Sequence, residues 1–173
     1  MERRNNGGSA AWLGEWFCAG ELYVERDYEL FSVLAGVRGD APAISQPRGV
    51  PKDASSAFRG FAKQISEELP GAVHSHSWLT LAELLAYDLG QEFYDDSLVT
   101  ERDAEGRIVD TTDAFNKNLP NSGPVGRRKV FSLGAPNHWG REQWDMIINE
   151  MKLVRDHWEL TNEDVRFCFF FYA

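Results

Sequence analysis

The amino-acid sequence predicts an α+β fold in which helices pack on one face of a mostly antiparallel sheet. The last segment, Val165–Tyr172 (VRFCFFFY), is almost entirely aromatic or β-branched and is too short for a core helix. It therefore predicts a central strand that is buried on both faces. A helical period runs from Arg141 to Trp158, directly before this strand. Strand and helix patterns are mingled along the chain, which favours one sheet with packed helices.

The length of the chain bounds its domain organisation. A chain of 173 residues is sufficient for one domain that buries roughly two thirds of its unfolded surface. We therefore expect a single domain over residues 1–173. Residues 91–128 have the weakest pattern and predict a long irregular insertion or loop region, apart from a hairpin within Leu98–Asp110. A short strand is expected at Val130–Leu133.

The first seventy residues predict short strands and then two helices with recognisable caps. Residues 1–4 are expected to end a strand that pairs with the next one, within Ala11–Val24. Acceptor side chains precede both helices, and a glycine or a Pro-Gly pair follows them. The first helix is Tyr28–Ala35, with Asp27 as its cap and Gly36 as its stop, and the second runs from Asp53 or Ser55 to about Leu69.

The stretch from Gly71 to Gly90 contains the clearest helix start in the chain. Thr80 and Glu83 have the T-x-x-E spacing of a capping box, in which each side chain bonds the backbone N–H of the other. Leu79 and Leu84 occupy the two positions of a hydrophobic staple around that start. The polar segment that precedes the helix therefore leads into a helix N-terminus, where the backbone favours an anion.

Composition excludes several classes of function. The net charge of −9 argues against general nucleic-acid binding, since phosphate contacts need a basic face. No run of about 18 apolar residues is present, so no membrane span is expected, and the N-terminus has no signal-peptide core. Cys18 and Cys168 are interpreted as reduced, buried residues. A cytoplasmic protein is the expectation.

Four segments of the chain together carry a family resemblance over roughly half of its length. They are RDYELFSVLAGVRG (Arg26–Gly39), ISQPRGVPKDAS (Ile44–Ser55), HSHSWLTLAELLAYD (His74–Asp88) and the closing MKLVRDHWELTNEDVRFCFFFYA. In this order they resemble an uncharacterised protein family associated with phage and prophage genomes. Because no activity is established for that family, the resemblance implies a small accessory protein and no particular chemistry.

The two ends of the chain depart from the family pattern. Members usually open with a strand that carries Asp-x-His, and the final strand often closes in a Phe-Asp-Asn-like sequence. This sequence has Met1-Glu2-Arg3-Arg4 where that first strand would be ending, and Phe171-Tyr172-Ala173 at its close. If the acidic and histidine positions at the two ends serve a site in relatives, this chain lacks them. This departure weakens an enzymatic interpretation.

The candidate ligand-binding residues are Arg48, His74, His76 and Trp78. In an extended segment, His74 and His76 are expected on one side, where two imidazoles could flank an anion or share a metal. Arg48 follows a proline in a rigid loop and suits bidentate contact with phosphate or carboxylate. The alternatives are that the histidines orient the segment by bonding loop backbone, and that Arg48 clamps a nearby carboxylate.

Three hypotheses of function follow from these residues. The first is a small phage-type accessory protein that binds an anionic, nucleotide-like ligand or a host protein. The second is a hydrolase that uses a His74/His76 centre, with catalytic residues otherwise unknown. The third is a structural or interaction protein without a small-molecule site, for which a homodimer is open. No cofactor and no dedicated metal site are expected, and Arg127-Arg128-Lys129 is the only dense basic run.

Overall fold

The computed structural model divides the chain into two compact units. Residues 1–88 with 139–173 form the first unit and residues 89–138 form the second. The structure describes residues 1–5, 11–14, 27–37, 41–90, 93–102, 104, 108–113, 125–130 and 139–172. The side chains of the strands in the second unit lie outside this description. The prediction of a single domain over 1–173 stays a prediction.

The first unit contains a four-stranded antiparallel sheet. Its strand order is β2-β1-β7-β3, so the C-terminal strand β7 pairs with β1 on one side and β3 on the other. The α+β class and the interior position of the last strand are therefore confirmed. The pairing of residues 1–4 with the following strand is also confirmed. The strands are β1 (Glu2–Arg4), β2 (Trp12–Gly14), β3 (Val73–Thr80) and β7 (Val165–Tyr172).

Helices contact both faces of β7. Phe167, Phe169 and Phe171 are all less than 10% exposed and follow one another on one face. Phe31 of helix α1 (Tyr28–Ala35) lies 4.7 Å from Phe171, measured between ring centroids. Phe61 of helix α2 (Ser56–Glu68) lies 6.0 Å from Phe170, whose side chain alternates to the other face. The expectation that helices pack on one face is therefore corrected for α2.

The first two helices begin at the caps that the sequence predicts. Asp27 accepts a hydrogen bond from the backbone N–H of Leu30 at 2.8 Å, and Ser55 accepts one from Phe58 at 3.1 Å. Gly36 ends α1 in the left-handed conformation, with φ at +65°. A side chain at this position would be strained, and its Cβ would lie 2.8 Å from the amide of Gln46.

Helix α3 (Leu81–Ala86) starts at the predicted capping box. Thr80 Oγ1 accepts from the Glu83 N–H at 3.2 Å, and the Thr80 N–H donates to Glu83 Oε2 at 2.8 Å. The helix ends at Ala86, with Tyr87 as its C-cap residue. The long helix α4 (Trp139–His157) precedes a short 3₁₀ turn at Asn162–Asp164 and then β7.

The second unit contains a three-stranded antiparallel sheet. Its order is β5-β4-β6, from β4 (Phe93–Arg102), β5 (Ile108–Asp113) and β6 (Val125–Val130). The hairpin expected within residues 98–110 is present, because β4 and β5 pair from Leu98↔Asp113 to Arg102↔Ile108. These strands lie partly within residues 91–128, where the sequence predicted an irregular region apart from the hairpin. Of the strand expected at 130–133, only Val130 is among the described residues, as the last residue of β6. Residues 131–138 lie outside the described part.

Two further expectations concern the membrane and the cysteines. Within the described ranges, no helix is long and apolar enough to cross a membrane. Cys168 is a free, buried thiol on β7, as expected for a small apolar residue in a core. Cys18 lies outside the described residues.

Candidate functional site

A β-bulge separates the two histidines of β3. His74 lies opposite Phe171 and Ser77 lies opposite Phe169, so three steps along β3 match two steps along β7. Ser75 absorbs the extra residue with φ at +55°, a left-handed conformation that is uncommon for serine. Because one residue is inserted, the alternation of side chains reverses between His74 and Ser77.

The histidines therefore contact opposite faces of the neighbouring strand. The His74 ring lies 6.3 Å from the ring of Phe171, and its Nδ1 is 2.8 Å from Ser75 Oγ. The His76 ring lies 5.4 Å from the ring of Phe170. The expectation that His74 and His76 share one side of the strand is wrong, because it assumed unbroken two-residue alternation. A site that uses both imidazoles on one surface is not formed.

His76 lies on the same face of β3 as Trp78 and has one unusual atom. Its Nε2 is buried, and no group in the described part of the chain forms a hydrogen bond with it. Burial lowers the pKa of His76 below 6.5, and the charge of His74 lowers it further. The imidazole is therefore neutral at pH 7, with one ring nitrogen left for an additional partner.

The loop that carries Arg48 runs along the outer edge of β3. The Gly49 N–H donates to the carbonyl oxygen of His76 at 2.8 Å, and the Arg48 N–H donates to Ser77 Oγ at 3.3 Å. Gly49 has φ at +78°, a left-handed backbone conformation that favours glycine. The Arg48 loop and the histidine segment of β3 therefore lie side by side.

The guanidinium of Arg48 has three polar contacts on one side. Its Nη1 donates to Glu83 Oε2 at 3.1 Å and to the carbonyl oxygen of Trp78 at 3.3 Å, and its Nη2 donates to Glu83 Oε1 at 2.5 Å. The group also stacks 4.7 Å above the Trp78 ring. Arg48 thus clamps a carboxylate, as one of the sequence-based alternatives held, and that carboxylate belongs to the capping box.

Glu83 connects the arginine to the start of helix α3. Burial alone would raise the pKa of Glu83, but hydrogen bonds from Arg48 and from the Thr80 backbone outweigh it and lower the pKa. The carboxylate is therefore ionised near neutral pH, and the Arg48–Glu83 pair has no net charge. The side chains of this pair remain 27% and 33% exposed, so the pair lies at the protein surface.

The Arg48–Trp78 stack is one end of a longer ladder. The ladder has five side chains in all, and its arginines and tryptophans alternate across one face of the four-stranded sheet. Arg166 lies 5.5 Å from the Trp78 ring and 3.8 Å from the Trp12 ring, and Arg4 lies 4.5 Å from Trp12. The ladder therefore runs Arg4, Trp12, Arg166, Trp78, Arg48 and joins all four strands to the Arg48 loop.

The centre of this ladder is a charge cluster around the buried Arg166. Arg166 is 1% exposed, and its Nε donates to Glu2 Oε2 at 2.7 Å while its Nη1 donates to Asp53 Oδ1 at 2.9 Å. Trp12 Nε1 donates to the other oxygen of Asp53 at 2.8 Å. Burial would raise the pKa of Asp53, but the bonds from Arg166 and Trp12 lower it.

The sequence predicted Trp78 and Arg48, at one end of the ladder, as site residues. It did not predict a role for Arg166, at the centre of the ladder. Arg48, His76 and Trp78 come together, whereas the bulge places His74 against the other face. Glu2 and Arg166 gave no local pattern, although the charge of Arg166 inside the otherwise apolar strand β7 was an available signal. Within the described residues, no group of three or more His, Cys, Asp or Glu side chains could hold a metal ion.

Comparisons of the chain with protein-family models, with curated proteins and with solved structures gave no match.

Proposed function

We propose that this chain is a small binding protein whose ligand carries a carboxylate or phosphate group, as in a nucleotide. Arg48 and His76 would contact the ligand, and Trp78 would hold the guanidinium in place by stacking. An accessory role in phage biology, with a host protein as the alternative partner, is supported by the sequence resemblance alone. His74 is left out of this site, because the bulge turns it to the other face.

The unused edge of the Arg48 guanidinium carries this proposal. An arginine has five N–H donors, and Glu83 and the Trp78 carbonyl engage three of those on Arg48. The remaining two belong to Nε and Nη2, and in the described part of the chain neither has an acceptor. Those two donors are parallel and match two oxygens of one carboxylate or phosphate. Stacking on Trp78 and hydrogen bonding to Glu83 hold the Arg48 guanidinium in place before a ligand binds.

His76 supports the same surface with a second unpaired group. It is two residues before Trp78 on one face of β3, and its backbone oxygen holds the loop that carries Arg48. Because its Nε2 is buried and unpaired within the described residues, a ligand atom could complete its hydrogen bonding. A bound anion would raise the pKa of His76, so binding should tighten as the pH falls below 6.5.

The competing hypothesis is a purely structural role for these groups. Arg48 neutralises Glu83, braces the capping box and covers the edge of β3, which is sufficient reason for an arginine in that loop. The hydrolase hypothesis gains no support from the described residues, since the two histidines do not share a surface. Ligand binding and bracing are therefore the two functions that an experiment must separate.

Thermal shift and calorimetry of the full chain provide that separation. The probes are inorganic phosphate, citrate and adenosine monophosphate, and a probe present at about 100 times its Kd should stabilise the protein by about 2.7 kcal/mol. Arg48→Lys keeps the charge but removes the fork, so affinity should fall about tenfold or more. His76→Phe keeps the ring and should abolish the pH dependence of binding.

Arg155→Lys is the matched control, because Arg155 also pairs with an acid but lies on α4, which contributes no group to the proposed site. It should bind the probe like the wild type. If no probe raises the melting temperature of the wild type, while Arg48→Lys lowers it, the group is a brace and the binding proposal is withdrawn.

A further inference from the structure

The three-stranded sheet of the second unit has two edges of opposite charge. In the order β5-β4-β6, β5 and β6 each pair only with β4 among the described residues. The edge strand β5 (IVDTTD) contains Asp110 and Asp113 and no basic residue, whereas β6 (VGRRKV) contains three basic residues and no acid. The basic run that the sequence makes conspicuous therefore lies on a sheet edge.

The register inside the sheet places few of these residues opposite a residue of the other charge. On β6, only Arg128 lies opposite an acid, Asp95, while Arg127 and Lys129 lie opposite Val99 and Tyr94.

On β5, Asp110 lies opposite another acidic residue, Glu101. Like charges directly opposite each other destabilise a strand pair. A basic strand added beside β5 would offset this repulsion.

We infer that the β5 edge of one copy of this chain pairs with the β6 edge of a second copy. Edge strands present unpaired backbone groups, and charge usually protects them from association. Here charge opposes association only between like edges, because two β5 edges repel each other and two β6 edges repel each other. The pairing of β5 with β6 is attractive and extends the sheet by backbone hydrogen bonds. Because the two edges differ, the contact is head-to-tail and forms a ring or an open chain of copies.

Salt dependence of the mass in solution gives the first test. The chain carries a net charge of −9, so general repulsion between copies would weaken association at low salt. Attraction between the edges gives the opposite dependence. Sedimentation velocity of the full chain should show masses of at least twice 19.6 kDa at about 0.02 M salt and the monomer at about 0.5 M salt. A monomer at both salt concentrations would overturn the inference.

Charge reversal at the two edges gives the second test. Arg127→Glu with Lys129→Glu makes both edges acidic and leaves Arg128, which lies opposite Asp95 in the register, unchanged. Asp110→Lys with Asp113→Lys makes both edges basic. Each double variant alone should be monomeric at low salt, and an equimolar mixture of the two should associate again.

The quadruple variant, which combines all four substitutions, provides the sharpest comparison. It restores the original net charge and opposite edge charges, so it should self-associate like the wild type. The matched control for the acidic double variant is Lys52→Glu with Lys63→Glu, which changes net charge equally at exposed positions outside the second unit. This control should keep the association of the wild type. If it is monomeric, or if the mixture and the quadruple variant stay monomeric, the contact is not formed by these two edges.

Discussion

Arg166 and Glu2 form a buried ion pair between residues 164 positions apart in sequence, with Nε donating to Oε2 at 2.7 Å. Nη2 of Arg166 lies 2.6 Å from the same oxygen, as an ion contact without hydrogen-bond geometry. Glu2 also accepts from the Ser55 N–H through Oε1 at 2.6 Å, so both carboxylate oxygens are engaged. The pair therefore joins β1, β7 and the start of α2 at the least exposed point of the charge cluster.

Removing one member of this pair should destabilise the first unit strongly. Arg166→Met leaves the Glu2 carboxylate buried without its cation, and such a change costs about 3–5 kcal/mol. Chemical denaturation followed by circular dichroism measures this loss from the shift in midpoint at constant slope.

Two further variants show whether burial is the cause. Arg166→Met combined with Glu2→Leu removes both charges and should cost less than the sum of the single changes. Lys63→Met breaks an exposed pair with Glu67 and should cost at most about 1 kcal/mol. A cost for Arg166→Met as small as that of Lys63→Met would show that water reaches the pair.

The start of helix α3 should tolerate loss of its cap better than loss of its apolar neighbour. Leu79 is fully buried, so Leu79→Ala should cost about 2–5 kcal/mol from lost burial and a cavity. Thr80→Ala removes only the cap and should cost about 1 kcal/mol. Leu153→Ala is the control at a position that is 62% exposed, where the change should stay within about 0.5 kcal/mol. Equal losses for Leu79→Ala and Leu153→Ala would contradict this account of the core.

Local signals in the sequence were sufficient for the helix starts. Asp27, Ser55 and Thr80 each act within three residues of the N–H group that they accept, so the relevant contact is visible in a short window. The last strand was predictable for a similar reason, since VRFCFFFY needs burial on both faces wherever it is placed.

Contacts across the fold were not predictable in this way. The bulge at Ser75 depends on the register between β3 and β7, and no residue near Ser75 predicts it. The clamp of Arg48 on Glu83 joins residues 35 positions apart, and either residue alone is typical of a solvated surface. The candidate site was therefore half predictable: the loop and the strand were identified, but which imidazole shares the face of Trp78 depended on the register.

Cys168 should be unreactive in the folded protein. Burial raises the pKa of its thiol to about 12, and the Glu2 carboxylate, whose Oε2 lies 3.4 Å from the sulfur, adds to this effect. At neutral pH the thiolate that reacts with alkylating reagents is therefore scarce, and the thiol is buried as well. Alkylation of Cys168 should be at least about 10³-fold slower than in denaturant.

Peptide mass spectrometry distinguishes the modification of Cys168 from that of Cys18. Modification of Cys168 within minutes in the native protein would show that β7 opens far more easily than an interior strand should.

The acid sensitivity of the fold should begin with His76. Its pKa in the folded state lies below the ordinary value of 6.5, chiefly through burial and then through the charge of His74. The unfolded chain therefore binds more protons between 6.5 and the folded pKa. Stability is complete above pH 6.5 and is lost as the pH falls through that window. The pKa values of Asp53 and Glu83 are lowered from 3.8 and 4.5, so their contributions are lost only at more acid pH.

A comparison of denaturation midpoints at about pH 7.5 and about pH 5.5 isolates the effect. His76→Phe keeps a ring against Phe170 but does not titrate, so its midpoint should change less than that of the wild type. His74→Phe removes only the smaller cause and should retain most of the wild-type dependence. If His76→Phe and the wild type lose stability in parallel, burial of the neutral imidazole does not control the acid response, and the unpaired Nε2 is accessible to water.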